Sequence, residues 1–368
     1  MNGDLVNAMT TAPPTSAGVR WVYFGTYTGA GSQGIYQARF DPATGRLSAP
    51  ELAAETTSPI YLALHPHGRV LYAVSHPGVD QVGAVEAYAI EPCGKLSLLN
   101  RQTSAGVCPC HLAVDPTGQC LLVANYLSGS IAALPIAADG RLGEPGTVVQ
   151  HRGTGTHPRQ AGPHAHSITP DPAGRFALAC DLGVDQVLVY RLDPGRAALE
   201  PNAPPAMAVT PGAGPRHLAF HPAGRRVYLI NELASTLAVL AYDPPAGRLQ
   251  EVQSISTLPA RFAGDNTGAQ VLVHPSGNLV YASNRGHDSI AVFAVADHSG
   301  ELSLIGHQPT QGKSPRHFAL DPSGCWVLAA NQGSDSIVAL RVDHRTGRLT
   351  ASGQSITVGS PVCVLFGP

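Results

Sequence analysis

In a chain of 368 residues of which only 13% are charged, Arg216, Arg285, Arg316 and Glu232 fall with His166, His217 and His317 at matching ends of repeated segments. These residue types carry a recognisable chemistry. The guanidinium fork pairs bidentately with carboxylate or phosphate oxygens. A carboxylate or imidazole beside such a fork can act as general base. Asn125, at the corresponding end of an earlier segment, adds an amide that can bind substrate. The set therefore reads as anion binding coupled to proton transfer. It also admits a structural reading, in which Arg216, Glu232 and Arg285 form an ion-pair network between neighbouring sheets. No Gly-x-Ser-x-Gly elbow occurs, which disfavours a serine nucleophile.

A repeat places these residues. The turn His/Asp-Pro-x-Gly returns at His65, Asp115, Asp171, His221, His274 and Asp321, with start-to-start spacings of 50, 56, 50, 53 and 47 residues. A period of roughly 40–50 residues built of short strands is the signature of a β-propeller. Each unit reads as four strands. The first follows a small residue and a proline, as at Ser58-Pro59, Cys108-Pro109, Gly162-Pro163, Gly214-Pro215 and Ser314-Pro315, with a proline-free version at Thr267-Gly268. The second strand follows the Pro-x-Gly turn, the third is a mainly apolar run, and the fourth follows a Gly-x-Leu turn in most units. Six units are complete and the seventh is split. Trp21–Tyr27, Gly34–Phe40 and Gly45-Arg46-Leu47 supply its second to fourth strands, and Ser360–Phe366 supplies its first. The expectation is an all-β, seven-bladed propeller with four antiparallel strands per blade. The C-terminal strand closes it, which removes a free sheet edge. Residues 20–368 form this single domain, and 1–19 read as a disordered tail.

Antiparallel pairing of the first two strands brings the start of one and the end of the other to the same face. The innermost strands ring the channel, so their first residues surround its mouth. There the histidines that begin inner strands (His111, His166, His217 and His317) meet the ends of second strands, Asn231-Glu232 and Asn284-Arg285. His65, His221 and His274 lie in turns on the opposite face and read as turn residues. Two long connections add material to the mouth: 146–163, with His157 and Arg159, and 257–268, with Arg261, Asp265 and Asn266. Loops of this length are often functional.

Composition narrows the classes. The net charge of −2 favours neither nucleic acid nor an anionic membrane as partner. No apolar run approaches the ~20 residues of a spanning helix, and the N-terminus lacks the pattern of a secretory signal. Seven scattered cysteines argue against a disulfide framework. Cys108 and Cys110 stand too close for a zinc pair and have no matching second pair. The reading is a reduced, cytoplasmic protein, a monomer or weak homo-oligomer, with no metal and no cofactor.

At these residues the chain resembles the seven-bladed lactonase family, the propeller type of 6-phosphogluconolactonase, related to the fungal carboxymuconate cyclases. The likeness spans nearly all of 20–367. It is carried by Phe24-Gly25-Thr26-Tyr27-Thr28, His166-Ser167, Gly214-Pro215-Arg216-His217, Asn231-Glu232-Leu233 and Ser283-Asn284-Arg285-Gly286-His287-Asp288. The resemblance implies an active-site set of His166, Arg216, Glu232 and Arg285; the strand ends themselves offer His217, Arg316, His317 and Asn125 as further substrate-binding residues. It implies hydrolysis of a sugar δ-lactone, with 6-phospho-D-glucono-1,5-lactone of the pentose phosphate pathway as the expected substrate. Glu232 and His166 would be the acid–base pair, Glu232 preferred as base, and Arg216 and Arg285 would hold the anion. One departure is Gln270, where family members often carry an acid. Two other functions remain open: a muconate-type lactone cyclase or isomerase, and a non-catalytic binding platform. Calcium, used by some other propeller lactonases, is not demanded by any cluster of acids at the mouth.

Overall fold

The computed structural model describes residues 18–29 and 31–368, so the tail expected over 1–19 lies outside the described residues except for Gly18 and Val19. Seven antiparallel sheets follow one another in chain order. Blade 1 joins the two ends of the chain. Its inner strand Pro361–Phe366 pairs with Arg20–Thr26, and Gly34–Asp41 then pairs with an outer strand broken into Arg46–Leu47 and Glu51–Glu55. The other inner strands are Leu62–Leu64, Pro109–Val114, Ala165–Pro170, Pro215–Phe220, Thr267–Val273 and Pro315–Leu320, for blades 2 to 7. The seven-bladed, four-stranded architecture and its closure are thus as the repeat predicts. No helix among the described residues is long and apolar enough to cross a membrane.

The core lies between blades. Alternation along each second strand sends side chains to opposite neighbours. In Arg226–Asn231, Val227 and Leu229 pack with Leu178 and Phe176 of blade 4, while Tyr228 and Ile230 pack with Val280 and Phe293 of blade 6. Polar stitches repeat at the same joints. Tyr23, Tyr72, Tyr228 and Tyr281 each donate a hydroxyl proton to the carbonyl of Gly94, Gly140, Gly300 or Gly347, the glycine of the next blade's Gly-x-Leu turn. The turn histidines His65, His221 and His274 place Nε2 2.9, 3.0 and 3.2 Å from the carbonyls of Gly118, Gly277 and Gly324 in the following turn. Between blades 7 and 1, Trp326 Nε1 donates to the Pro42 carbonyl at 2.8 Å. Deleting residues 358–368 removes the inner strand of blade 1 and bares the paired edge of Arg20–Thr26. The expected result is aggregation or loss of cooperative thermal unfolding, and a truncated protein with unchanged melting would show that the closure is dispensable.

Candidate active site

The small-residue–Pro motif has a backbone cause. Ser58, Cys108, Gly214, Ser314 and Ser360 adopt left-handed φ values of 41°, 59°, 67°, 55° and 42° just before their prolines. That conformation costs a non-glycine residue about 1–2 kcal/mol. At Gly214 even a Cβ would come 2.6 Å from Leu233. After the proline the pairing slips by one residue. Pro215 faces Asn231 and His217 faces Ile230, which leaves Arg216 unpaired. The same slip leaves out Arg316, His166 and Cys110 in blades 7, 4 and 3. A bulge re-aims the extra side chain. Here it places consecutive residues together at the channel, Arg216 Nη1 lying 3.3 Å from both ring nitrogens of His217.

Glu232 sits one residue beyond the second strand of blade 5. Its N–H donates to Gly214 O (2.7 Å) and its own carbonyl accepts the Gly268 N–H (3.0 Å), so its backbone bridges blades 5 and 6. Three guanidiniums converge on its carboxylate. Arg216 Nε and Arg285 Nη2 each approach Oε2 at 2.9 Å, and Arg159 Nη2 approaches Oε1 at 2.7 Å. Arg216 and Arg285 also donate to the carbonyls of Ala269 (2.6 Å) and Gly268 (3.0 Å). The interblade ion-pair network is therefore present, and the two arginines expected to hold an external anion are engaged with Glu232. His166 Nε2 stands 3.7 Å from Glu232 Oε2. Its ring has no closer polar partner among the described residues; the Cys110 thiol lies 3.8 Å from Nδ1 and donates to the His166 carbonyl at 3.3 Å.

A cavity of about 350 Å³ opens at this mouth. Arg159, His166, Glu232, Arg285 and Arg316 line one side of it, and Tyr27, Ile60, Val79, Cys108, Cys110, Tyr126 and Leu127 line most of the rest. A second cavity of about 540 Å³ adjoins it across Arg159, Thr267 and Arg285. Arg316 lies over the Tyr27 ring, its guanidinium carbon 5.7 Å from the centroid, a cation–π contact. Among the described residues it makes no hydrogen bond or ion pair, so its fork remains available to a ligand.

Burial works against ionisation of Glu232, but the guanidiniums of Arg285, Arg216 and Arg159 overcome it and hold the carboxyl far below the ordinary range. Burial, and then Arg285 and Arg316, push Arg216 down to about 9, which leaves it charged at neutral pH. Burial, and then Arg216, hold His166 well below the usual imidazole value, so its ring is neutral. Four guanidiniums thus face a single carboxylate. The mouth carries a surplus of positive charge that an anionic ligand would neutralise.

Not every expected residue reaches this cavity. Arg216 is 2% exposed and stands behind Glu232 rather than on the wall. His217 and His317 lie one layer deeper, on either side of Gln270, whose Oε1 is 2.5 Å from His217 Nδ1 and whose Nε2 is 3.2 Å from His317 Nε2. Tyr61 and His111 pack against these rings within the channel. Gln270 is thereby a packing and hydrogen-bonding bridge. Asn125, expected as a substrate binder, does not line this cavity. It is fully buried, its amide donating to Ser104 O (2.9 Å) and Ser130 Oγ (3.3 Å), and its neighbour Tyr126 lines the cavity instead. Arg159 was legible only as a residue of a long connection; nothing in its local sequence announces its reach to Glu232. Among the described residues no three His, Cys, Asp or Glu side chains converge as metal ligands would.

The sequence pattern of the family described as lactonase, 7-bladed beta-propeller, matches residues 21–366. A 6-phosphogluconolactonase of Bacillus subtilis (strain 168) is 40% identical over 345 residues, which cover 94% of this chain and 97% of that protein. The solved structure of the periplasmic gluconolactonase of Pseudomonas aeruginosa superposes with a TM-score of 0.91 at 35% identity, covering 95% of this chain and 99% of that one. A solved Lactobacillus plantarum protein gives 0.88 at 36% identity, over 95% and 100%.

Proposed function

The chain belongs to the seven-bladed β-propeller lactonase family, and from that premise we propose that it hydrolyses an anionic sugar δ-lactone, 6-phospho-D-glucono-1,5-lactone first among candidates. The observation that carries the anionic preference is the convergence of Arg159, Arg216, Arg285 and Arg316 about one carboxylate. A neutral lactone has no need of that excess. The uncommitted Arg316 takes the phosphate oxygens, and the carbon face of the ring rests on the apolar wall of Ile60, Val79 and Tyr126.

His166 is the better base in this geometry. Glu232 has both oxygens occupied by guanidiniums and a strongly lowered basicity. The neutral imidazole has a free lone pair. A water attacks C1 as His166 takes its proton, forming a tetrahedral oxyanion. Arg285 and Arg159 stabilise the developing charge. The imidazolium is stabilised in turn by Glu232 at 3.7 Å. The C1–O5 bond then breaks, O5 takes the proton back from His166, and the acid product ionises. Glu232 acts as electrostatic partner of His166 and as the anchor of the arginines. A reduced intracellular setting is consistent with the seven unpaired thiols.

The test is an assay of the purified protein on the phosphorylated lactone, plain gluconolactone and a muconate, with spontaneous hydrolysis subtracted. Arg316→Ala removes a charged hydrogen-bond donor worth about 1.5–3 kcal/mol. It is expected to raise KM for the phosphorylated lactone by roughly 10–100-fold and to change plain gluconolactone little. Equal losses on both substrates would place the phosphate elsewhere, and turnover of the muconate alone would replace hydrolysis by cyclisation.

A further inference from the structure

The segment joining Thr147–Gln150 to Ala165–Pro170 carries Arg159 to Glu232, and residues 151–164 contain no strand or helix. A half-exposed arginine on a loose loop makes a weak ion pair, because ordering the long side chain opposes the attraction. This segment is not loose. It wraps around one buried side chain, Gln160, which is 1% exposed. The Gln160 Oε1 accepts the His157 N–H (2.8 Å), and its Nε2 donates to Leu182 O (2.8 Å) and Asp185 Oδ1 (2.7 Å). Its backbone N–H donates to His157 O (2.8 Å), and its carbonyl accepts the Gly155 N–H (3.0 Å). A buried amide so fully paired is costly to unpair.

Asp185 extends the tie. It is 7% exposed, and its carboxylate also accepts the N–H groups of Gly212 (2.6 Å) and Gly214 (2.8 Å). Gly214 precedes Arg216 by two residues, and its carbonyl accepts the Glu232 N–H. One amide–carboxylate pair therefore sets the loop that bears Arg159 and the backbone beside Arg216 and Glu232.

We infer that Gln160 and Asp185 form a positioning unit that holds Arg159 against Glu232 and presents it to the substrate, so that Gln160 is a positioning residue for that arginine. Its kinetic consequence rests on the hydrolysis proposed above; the pinning of the loop does not. Gln160→Met keeps the side-chain volume and removes the amide, and Gln160→Asn is the milder variant should the first unfold. Limited trypsin digestion of the full chain is expected to give new cleavage confined to Arg152 and Arg159 in Gln160→Met, with the wild type resistant there. On the phosphorylated lactone, Gln160→Met and Arg159→Ala should each lower kcat/KM by about tenfold. The double variant should be no worse than Arg159→Ala alone, since both changes remove one interaction. A loop as resistant as wild type, or effects that multiply in the double variant, would overturn the inference. If the wild type hydrolyses no lactone, the functional reading fails separately. Calorimetry with inorganic phosphate on wild type and Gln160→Met then decides, weaker binding by the variant supporting the inference and equal affinity overturning it.

Discussion

Stability is expected to fall steeply as the pH drops below about 6.5, with a limiting slope of about 5 kcal/mol per pH unit. His111, His166, His217 and His317 are 6%, 4%, 4% and 6% exposed. In all four, burial and then Arg216 depress the imidazole; His111 and His317 are pushed down to about 3, and His166 and His217 well below the ordinary value. The folded protein therefore keeps them neutral over a range in which the unfolded chain protonates them. The unfolded state binds more protons there, so stability rises with pH and is lost as pH falls through the unfolded value of about 6.5. Each ring contributes about 1.4 kcal/mol per unit, and the four act together. Glu232 does not offset this. Its lowered pKa stabilises the fold fully above the ordinary carboxylate value, and that contribution is lost only at lower pH. Denaturant midpoints at pH 7.5, 6.5 and 5.5 give the measurement. Midpoints that do not move would mean that the rings are hydrated or already charged in the native state.

Replacing His166 by Asn is expected to lower kcat for the phosphorylated lactone by about 10²–10⁴-fold, the usual worth of a general base. The substitution keeps a polar side chain of smaller volume and leaves Glu232 with its three guanidiniums, so KM and the fold should change little. Glu232→Gln is a different experiment. It strips the counter-charge from Arg216, which is buried at 2% exposure, and so disturbs stability and anion affinity along with rate. The split between these two variants separates the roles. Near-full turnover in His166→Asn would move the base elsewhere. An intact fold and unchanged KM in Glu232→Gln, with kcat alone reduced, would return that role to Glu232.

Much of this was legible because the repeat is local. His/Asp-Pro-x-Gly and Gly-x-Leu are turn chemistries written in adjacent residues, so blade number, strand order and the split seventh blade could be counted along the chain. The same count placed His166, Arg216, Glu232, Arg285 and Arg316 at one mouth, where the structure brings them together. The depth of each residue could not be counted. A regular strand alternates sides, and the extra residue near the start of these inner strands breaks that alternation. Arg216 with His217, and Arg316 with His317, are therefore neighbours at two depths of the channel rather than on two faces of a sheet.

The one-dimensional pattern determined the architecture and the inventory of charges, since turns and strand periodicity depend on residues a few positions apart. Only the tertiary structure decided how those charges are shared. Arg159 reaches Glu232 in blade 5 from the connection that leads into blade 4, Gln270 spans two histidines from blades 5 and 7, and Asn125 turns inward to Ser104 and Ser130. The first two join segments remote in sequence, and the Gln270 and Asn125 bonds are buried from water. Burial of that kind, which moves the pKa values of His166 and Glu232 and leaves Arg316 as the uncommitted cation, is a property of the closed ring of blades and of no single segment.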